Sequence, residues 1–283
     1  MVGSILITGC SSGIGYASAK VLHERGWKVF AACRKSCDCD KLKELGIDSP
    51  LLDYDIEDTI ISAVEYVLGK TNGKLDVLFN NGAFAQLGAV EDLPVEALKA
   101  SFQSNFFGWH TLTCKVIPIM RKQGHGRILQ CSSVLGFSTL KFRGAYQATK
   151  YALEGLTDTL RLELLDTGIH VILLEPGSIK TRIRYNASKH FYKWINIDKS
   201  PWNCEYEDIL IPKLEQMDES IPLKEQSFFK GNCDIVIPKI LHAIESKKPA
   251  VRYFITKETW IAAFLKRICT SSQFDVICKK VGF

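Results

Sequence analysis

The 283-residue sequence predicts an α/β fold: one doubly wound domain on a parallel sheet, closed by a C-terminal lid over the substrate. Three observations lead there. Short apolar runs alternate with helix-length amphipathic stretches as far as Thr181. The runs are continuous rather than alternating, as strands covered on both faces must be. A glycine-rich turn joins the first run to the first helical stretch, the junction that carries phosphates in open parallel sheets.

The composition suits one large core: hydrophobic residues make up 46% and charged residues 24%. The net charge of +5 is mild. Its one concentration, Lys180, Arg182, Arg184, Lys189 and Lys193, lacks the aromatic interleaving of a nucleic-acid surface and reads as a solvated loop. Nucleic acid is therefore not expected as a partner. No apolar run approaches the roughly 18 residues of a membrane helix. The first apolar run begins at Ser4 with no charged leader, so a cytoplasmic location is expected. The ten cysteines then read as free thiols. Neither Cys37-Asp38-Cys39 nor the six histidines have metal-ligand spacing, so no metal is expected.

In chain order, Ser4 to Thr8 is the first strand and Ile14 to Arg25 the first helix. The turn between them runs Thr8-Gly9-Cys10-Ser11-Ser12-Gly13-Ile14-Gly15. Glycines at 9, 13 and 15 let the backbone approach a pyrophosphate, and the helix start supplies N–H groups. Lys28 to Cys33 is the second strand. Dinucleotide folds commonly place an acid at its end to bind the ribose hydroxyls. Here Arg34 and Lys35 stand instead, which suits a 2′-phosphate and favours NADP (as NADPH) over NAD. The alternative is a solvated strand-end charge.

Ser49 to Asp55 is expected as the third strand, Ile56 to Leu68 as a helix, and Leu75 to Phe79 as the fourth strand before Asn80-Asn81-Gly82-Ala83. Pro94 to Arg121 reads as helix in two pieces. Asn105 falls inside it among Phe102, Phe106, Phe107 and Trp109; buried, its amide must be hydrogen-bonded. Arg127 to Cys131 and His170 to Leu174 are the fifth and sixth strands.

Between these two strands lies CSSVLGFSTLKFRGAYQATK, residues 131–150. On a helix from Gly144 to Asp166, Tyr146 and Lys150 share one face. A nearby ammonium favours a phenolate, and Ser133 at the end of the preceding strand can polarise a carbonyl. That is equipment for carbonyl–alcohol chemistry. The residues 182–230 carry scattered aromatics and prolines and read as the substrate lid. Cys233 to Ser246 is a helix, Pro249 to Thr256 a last strand, and Thr259 to Val281 one amphipathic helix. That last helix has Trp260, Ile261, Phe264, Leu265 and Ile268 on one face, which leaves open a peripheral membrane contact.

Taken together, TGCSSGIG at 8–15, Asp53, NNGA at 80–83, Asn105, Ser133, YQATK at 146–150 and PGSIKT at 176–181 resemble the short-chain dehydrogenase/reductase family over nearly the whole chain. The likeness is to the branch of hydroxysteroid and retinol dehydrogenases and bacterial aldehyde reductases. The resemblance implies a Rossmann-type domain over residues 1–283 and an NADP-dependent oxidoreductase of apolar aldehydes, ketones or alcohols. It also implies a homo-oligomer, dimer or tetramer. By it, Tyr146 is the proton donor and acceptor, Ser133 orients the carbonyl, Lys150 tunes the tyrosine and holds the ribose, and Asn105 completes a proton relay. Gly9, Ser11, Ser12, Gly13, Ile14, Gly15, Arg34, Asp53, Asn81, Pro176, Gly177 and Thr181 would join Tyr146 and Lys150 in holding the cofactor. The family usually has N-N-A-G where this chain has Asn80-Asn81-Gly82-Ala83. A different reading is a dinucleotide-binding redox sensor or scaffold without turnover.

Overall fold

The computed structural model describes residues 3–215 and 233–281. Six strands form one sheet in the order β2-β1-β3-β4-β5-β6. They are β1 (Ser4–Thr8), β2 (Lys28–Ala32), β3 (Val77–Asn80), β4 (Gly126–Cys131), β5 (Ile169–Glu175) and β6 (Arg252–Phe254). Every neighbouring pair is parallel. β1 and β3 are buried along their whole length, so helices cover both faces, as their unbroken apolar sequence requires.

The helices are α1 (Gly13–Glu24), α2 (Ser36–Glu44), α3 (Glu57–Lys70), α4 (Val95–Phe102), α5 (Gly108–Gln123) and α6 (Gly144–Glu163). After β5 follow α7 (Ile183–Trp194), α8 (Asn203–Glu205), α9 (Ile211–Glu215), α10 (Ile237–Glu245), α11 (Lys257–Ile268) and α12 (Ser271–Val281). α1 packs on α10, α3 on α5, and α4 on α6. From β1 the chain builds outward to β2, then crosses back to set β3 on the other side of β1. That reversal opens a crevice at the carboxyl ends of β1 and β3, where open α/β sheets bind ligands.

Ser49 to Asp55 is not a strand. The segment runs beside β2 and pairs through isolated bridges rather than a ladder, Phe30 with Asp48 and Cys33 with Leu51. The cause is Pro50, which has no N–H to give to the ladder. The Ser49 hydroxyl donates to the Ala31 carbonyl instead, at 2.6 Å. The apolar pattern thus identified an extended, buried segment, and the proline kept it out of the sheet.

The two expected helical pieces around Asn105 are α4 and α5, joined by a π-helical turn over Gln103–Phe107. The expected C-terminal helix is two. Cys269 is extended, and Thr270 and Gln273 then cap each other: the Gln273 side chain accepts the Thr270 N–H at 2.9 Å, and the Thr270 hydroxyl accepts the Gln273 N–H at 3.4 Å. This reciprocal capping box starts α12 afresh. Trp260, Ile261, Phe264 and Ile268 are exposed on α11 in the single chain. Among the described residues no helix is long and apolar enough to cross a membrane, and no group of histidine, cysteine and acid side chains could hold a metal.

Two apolar clusters hold the molecule. The main one surrounds the sheet. The second gathers Leu87, Ala89 and Phe142 beneath Ala187, Phe191, Ile195, Tyr206, Leu210 and Leu214 of the segment after Thr181. Tyr206 anchors this layer: its hydroxyl donates to Asp92 at 2.5 Å and accepts the Ala89 N–H at 2.7 Å. The lid expected at 182–230 is therefore helical with its own core as far as Glu215; residues 216–230 lie outside the described residues.

Candidate active site

A cleft of about 370 Å³ opens at the crevice between β1 and β3. Its floor is polar and tied together. The Tyr54 hydroxyl, buried, donates to Thr8 at 2.7 Å and lies 2.9 Å from the Asn80 amide oxygen. Thr8 in turn accepts the N–H groups of Asn81 and Gly82. The Asn81 side chain donates to the Thr8 carbonyl at 3.0 Å. The loops after β1 and β3 are thus locked to each other. Gly9 sits in left-handed backbone at φ 68°, and a Cβ there would come within 2.5 Å of the Gly82 Cα. Gly82 needs no positive φ, but a methyl on it would meet Gly9 at 3.2 Å. The order Gly82-Ala83 therefore lets these two loops close a few tenths of an ångström tighter than an alanine at 82 would allow.

The glycine loop forms one wall, with Ser11, Ser12, Gly13 and Ile14 on the cleft. Ser12 caps α1 without a side-chain hydrogen bond to the first turn, so N–H groups there remain for an anion. Cations predominate around it: Arg34, Lys35, Lys150, Arg182 and Lys189 line the cleft against the single acid Asp53. The residues present fit a nicotinamide dinucleotide, with its pyrophosphate at the start of α1.

Across from the loop stand Ser133, Tyr146 and Lys150. The Ser133 hydroxyl accepts the Leu135 N–H at 3.1 Å, which leaves its own proton to donate. It is hydrogen-bonded to Tyr146. Burial pushes the Tyr146 phenol well above the usual tyrosine range, and the serine bond pulls it partly back. Lys150 is almost wholly buried. Its ammonium donates to the Cys131 carbonyl at 2.7 Å, lies 4.3 Å from the Trp109 ring centre and 5.7 Å from that of Tyr146. Burial lowers it to about 8, against the opposing pull of Cys131 and Glu154. Pro176, Gly177 and Thr181 complete the rim, with the Pro176 carbonyl accepting the Val134 N–H at 2.9 Å.

Residues 4–191 match the model of the short chain dehydrogenase family. The chain belongs to that family. It is 37% identical over 277 residues to the uncharacterized oxidoreductase YbbO of Escherichia coli K12, covering 98% of this chain and 94% of that protein. It is 30% identical over 264 residues to an NADPH-dependent 3-dehydrocapnine reductase of Ornithobacterium rhinotracheale, covering 88% of this chain and 87% of the relative. A short-chain dehydrogenase from Streptomyces avermitilis shares the fold over the full length of both chains, at TM-score 0.76 and 24% identity. As a short-chain dehydrogenase the protein is an oxidoreductase acting between alcohol and carbonyl groups, and solved structures of similar fold hold a nicotinamide dinucleotide, NADH in one and NADP+ in another.

Of the residues expected at a short-chain dehydrogenase site, all reach the cleft except Gly15 and Asn105. Gly15 packs behind the loop, where a Cβ would meet the Gly9 carbonyl at 2.6 Å. Asn105 is fully buried in the π-helical turn and grips the backbone of Phe84, accepting its N–H at 3.0 Å and donating to its carbonyl at 2.8 Å. The cations Arg182 and Lys189, read from sequence as part of a solvated loop, line the cleft because α7 folds over it. Sequence reasoning also missed Tyr54, Phe84, Asn186 and His190 there. Phe84 and His190 stack at 3.9 Å, joining the floor to α7. Only Tyr54 left a sequence signal, as the apolar neighbour of Asp53 in LLDYD.

Proposed function

We propose that this oxidoreductase uses NADP(H) and interconverts an apolar aldehyde or ketone with its alcohol, with Tyr146 as acid and base. One observation carries the reading: Ser133, Tyr146 and Lys150 open onto the same cleft as Arg34 and Lys35. When bound, the dinucleotide supplies or takes up the hydride. The chain does the rest. Ser133, whose hydroxyl proton now points to Tyr146, turns it to the substrate oxygen and orients that oxygen. Tyr146, kept neutral by burial, holds the proton that the oxygen receives in reduction. Lys150 binds the ribose and lends its charge to the phenolate left behind. Asn105 fixes the Phe84 loop and the turn beside α6, and a water on this side of α6 would pass the proton onward.

Cofactor choice rests on the end of β2. Arg34 is exposed at the cleft edge, and among the described residues it makes no ion pair. No acid stands there to hold a ribose diol, and a guanidinium suits a 2′-phosphate. Similarity to a reductase described as NADPH-dependent supports the same choice. The apolar substrate is supported by Phe84, Ile179 and Ile183, which line the same cleft. The segment 182–230 serves as the lid, cytoplasmic location accords with ten free cysteines, and a homo-oligomer accords with the exposed apolar face of α11. The test is direct. NADPH should bind at least tenfold tighter than NADH by fluorescence titration, and Arg34→Ala should shrink the difference. Turnover of aldehydes, ketones and steroids with NADPH checks the chemistry. Equal affinities, or no carbonyl consumed, would overturn the respective half.

A further inference from the structure

The polar face of α7 is turned inward. Ala187 and Phe191 of this helix are buried in the core under the lid. On an ordinary surface helix the residues opposite them would face water. Here Asn186, Lys189 and His190 line the cleft, with Ile183 and with Arg182 just before the helix. The spacing 182, 183, 186, 189, 190 is that of a single helical face. From Ile183 to His190 this face runs about 10 Å along the cleft.

Its far end comes back to the end of β2. The His190 ring feels the charge of Arg34, besides that of Lys193 on its own helix and that of Asp55 after Tyr54. Burial and the two cations hold the imidazole below its usual range, and Asp55 offsets them in part. Asp55 is itself engaged by the Ser104 hydroxyl, which donates to it at 2.5 Å. The His190 ring lies on Phe84, its centre 3.9 Å away and the planes 11° apart. An aromatic face receives an imidazolium readily, so nothing in that stack opposes a charge on the histidine. Lys189 is exposed at the cleft, its ammonium 4.5 Å from the Tyr185 ring centre. Among the described residues Arg34, Lys35 and Lys189 make no ion pair. Two elements distant in sequence, the end of β2 and the second half of α7, thus bring three cations without a counter-ion and one imidazole to the same cleft. A 2′-phosphate carries close to two negative charges above pH 7. It would supply the missing counter-ion and offset the field that keeps His190 neutral.

We propose that α7 supplies the second half of the 2′-phosphate site: Lys189 and His190 close on the phosphate from the lid while Arg34 and Lys35 hold it from β2, and His190 takes up a proton as they do. This rests on the NADP reading of the same cleft. The lid then recognises the cofactor as well as the substrate. NADPH draws α7 down, and NADH, with a hydroxyl in place of the phosphate, draws it less.

The experiment uses the full chain and reads binding rather than turnover. NADPH and NADH are titrated by calorimetry at pH 7.5 in two buffers of different ionisation enthalpy, which counts the protons taken up. The native protein should take up more with NADPH than with NADH, the difference being a fraction of a proton, and His190→Gln should abolish that difference. Lys150, whose charge changes near pH 8, serves both cofactors and cancels in the comparison. Lys189→Ala should weaken NADPH about tenfold, the worth of one charge-assisted hydrogen bond, and leave NADH within about twofold. Lys189→Arg should keep most of the preference. NADH is the internal control for a misplaced lid. Equal weakening of both cofactors in Lys189→Ala and His190→Gln would show that α7 only covers the cleft, and would overturn the proposal. So would a preference for NADPH that neither variant changes, with no difference in proton uptake. Equal affinities of the native protein for NADPH and NADH are a separate failure, that of the NADP reading, and take the 2′-phosphate site with it.

Discussion

At the scale of single residues, the site depends on two side chains whose charge states burial has moved. Tyr146 is neutral near neutrality, so it is a donor in the reductive direction. Tyr146→Phe keeps the ring and removes only the proton. Turnover should fall by about a hundred- to ten-thousand-fold, the usual worth of acid–base assistance, with NADPH affinity within a few-fold of native. Near-normal turnover in single-turnover assays would show that Tyr146 is not the proton donor. Lys150 is the pH-sensitive partner. Its value of about 8 lies below the ordinary lysine range, so it is charged below pH 8 and neutral above it. The ribose contact and the field on Tyr146 both need the ammonium. kcat/KM for NADPH, which reports the free enzyme, should therefore hold below pH 8 and fall above it. A profile flat to pH 10 would show that burial has not shifted the lysine. These roles were legible because Ser133, Tyr146 and Lys150 announce themselves by type and spacing.

At the scale of elements, the strands with pure apolar runs were read correctly, and the failures were local chemistry. Pro50 withholds one N–H from the ladder, and Ser49 to Asp55 lies outside the sheet. The compensating bond predicts a cost. Ser49 is buried, and removing its hydroxyl leaves the Ala31 carbonyl with only the long, weak contact of the Cys33 thiol at 4.0 Å inside the core. Ser49→Ala should destabilise the protein by about 1–3 kcal/mol, the penalty for an unsatisfied buried group. Loosening of β2 would also shift Arg34, so NADPH affinity should weaken while NADH affinity changes less. Urea denaturation with and without each dinucleotide measures both; no loss of stability would mean that water satisfies the carbonyl. The break before α12 has the same character. T-S-S-Q is a capping box in plain sight, but the amphipathic pattern runs through it and invites one long helix. The lid was the least legible element, because α7 owes its place to packing of Phe191 and Tyr206 against Phe142, a contact across distant sequence.

At the scale of the whole molecule, one charged cluster ties the last strand to the catalytic helix. Arg252 of β6 reaches Glu154 and Asp158 of α6 and, at 2.6 Å, Glu175 at the end of β5. Arg161 also pairs with Asp158. Three carboxyl groups thus face two guanidiniums, and one proton balances them. One oxygen each of Glu154 and Glu175 is buried with no donor, which a proton shared between the two carboxyls would satisfy. Burial and the Glu154 charge accordingly raise Glu175 to about 8, against the pull of Arg252. In the unfolded chain the same group titrates near 4.3. Between these values the folded protein holds a proton that the unfolded chain has released. Stability from this group is therefore full below about pH 4, and it declines as pH rises toward 8. The melting temperature should fall across that window more steeply in the native protein than in Glu175→Gln. The amide can donate to Glu154 as the protonated acid does, without titrating. The histidines His170 and His190, lowered by burial, add a slope of opposite sign, but both proteins share it and the difference between them cancels it. Parallel melting curves for the two from pH 5 to 8 would mean that Glu175 is ionised and that Arg252 alone carries the cluster. A steeper native curve would place a titrating proton directly behind Lys150, whose own charge feels Glu154 one helical turn away.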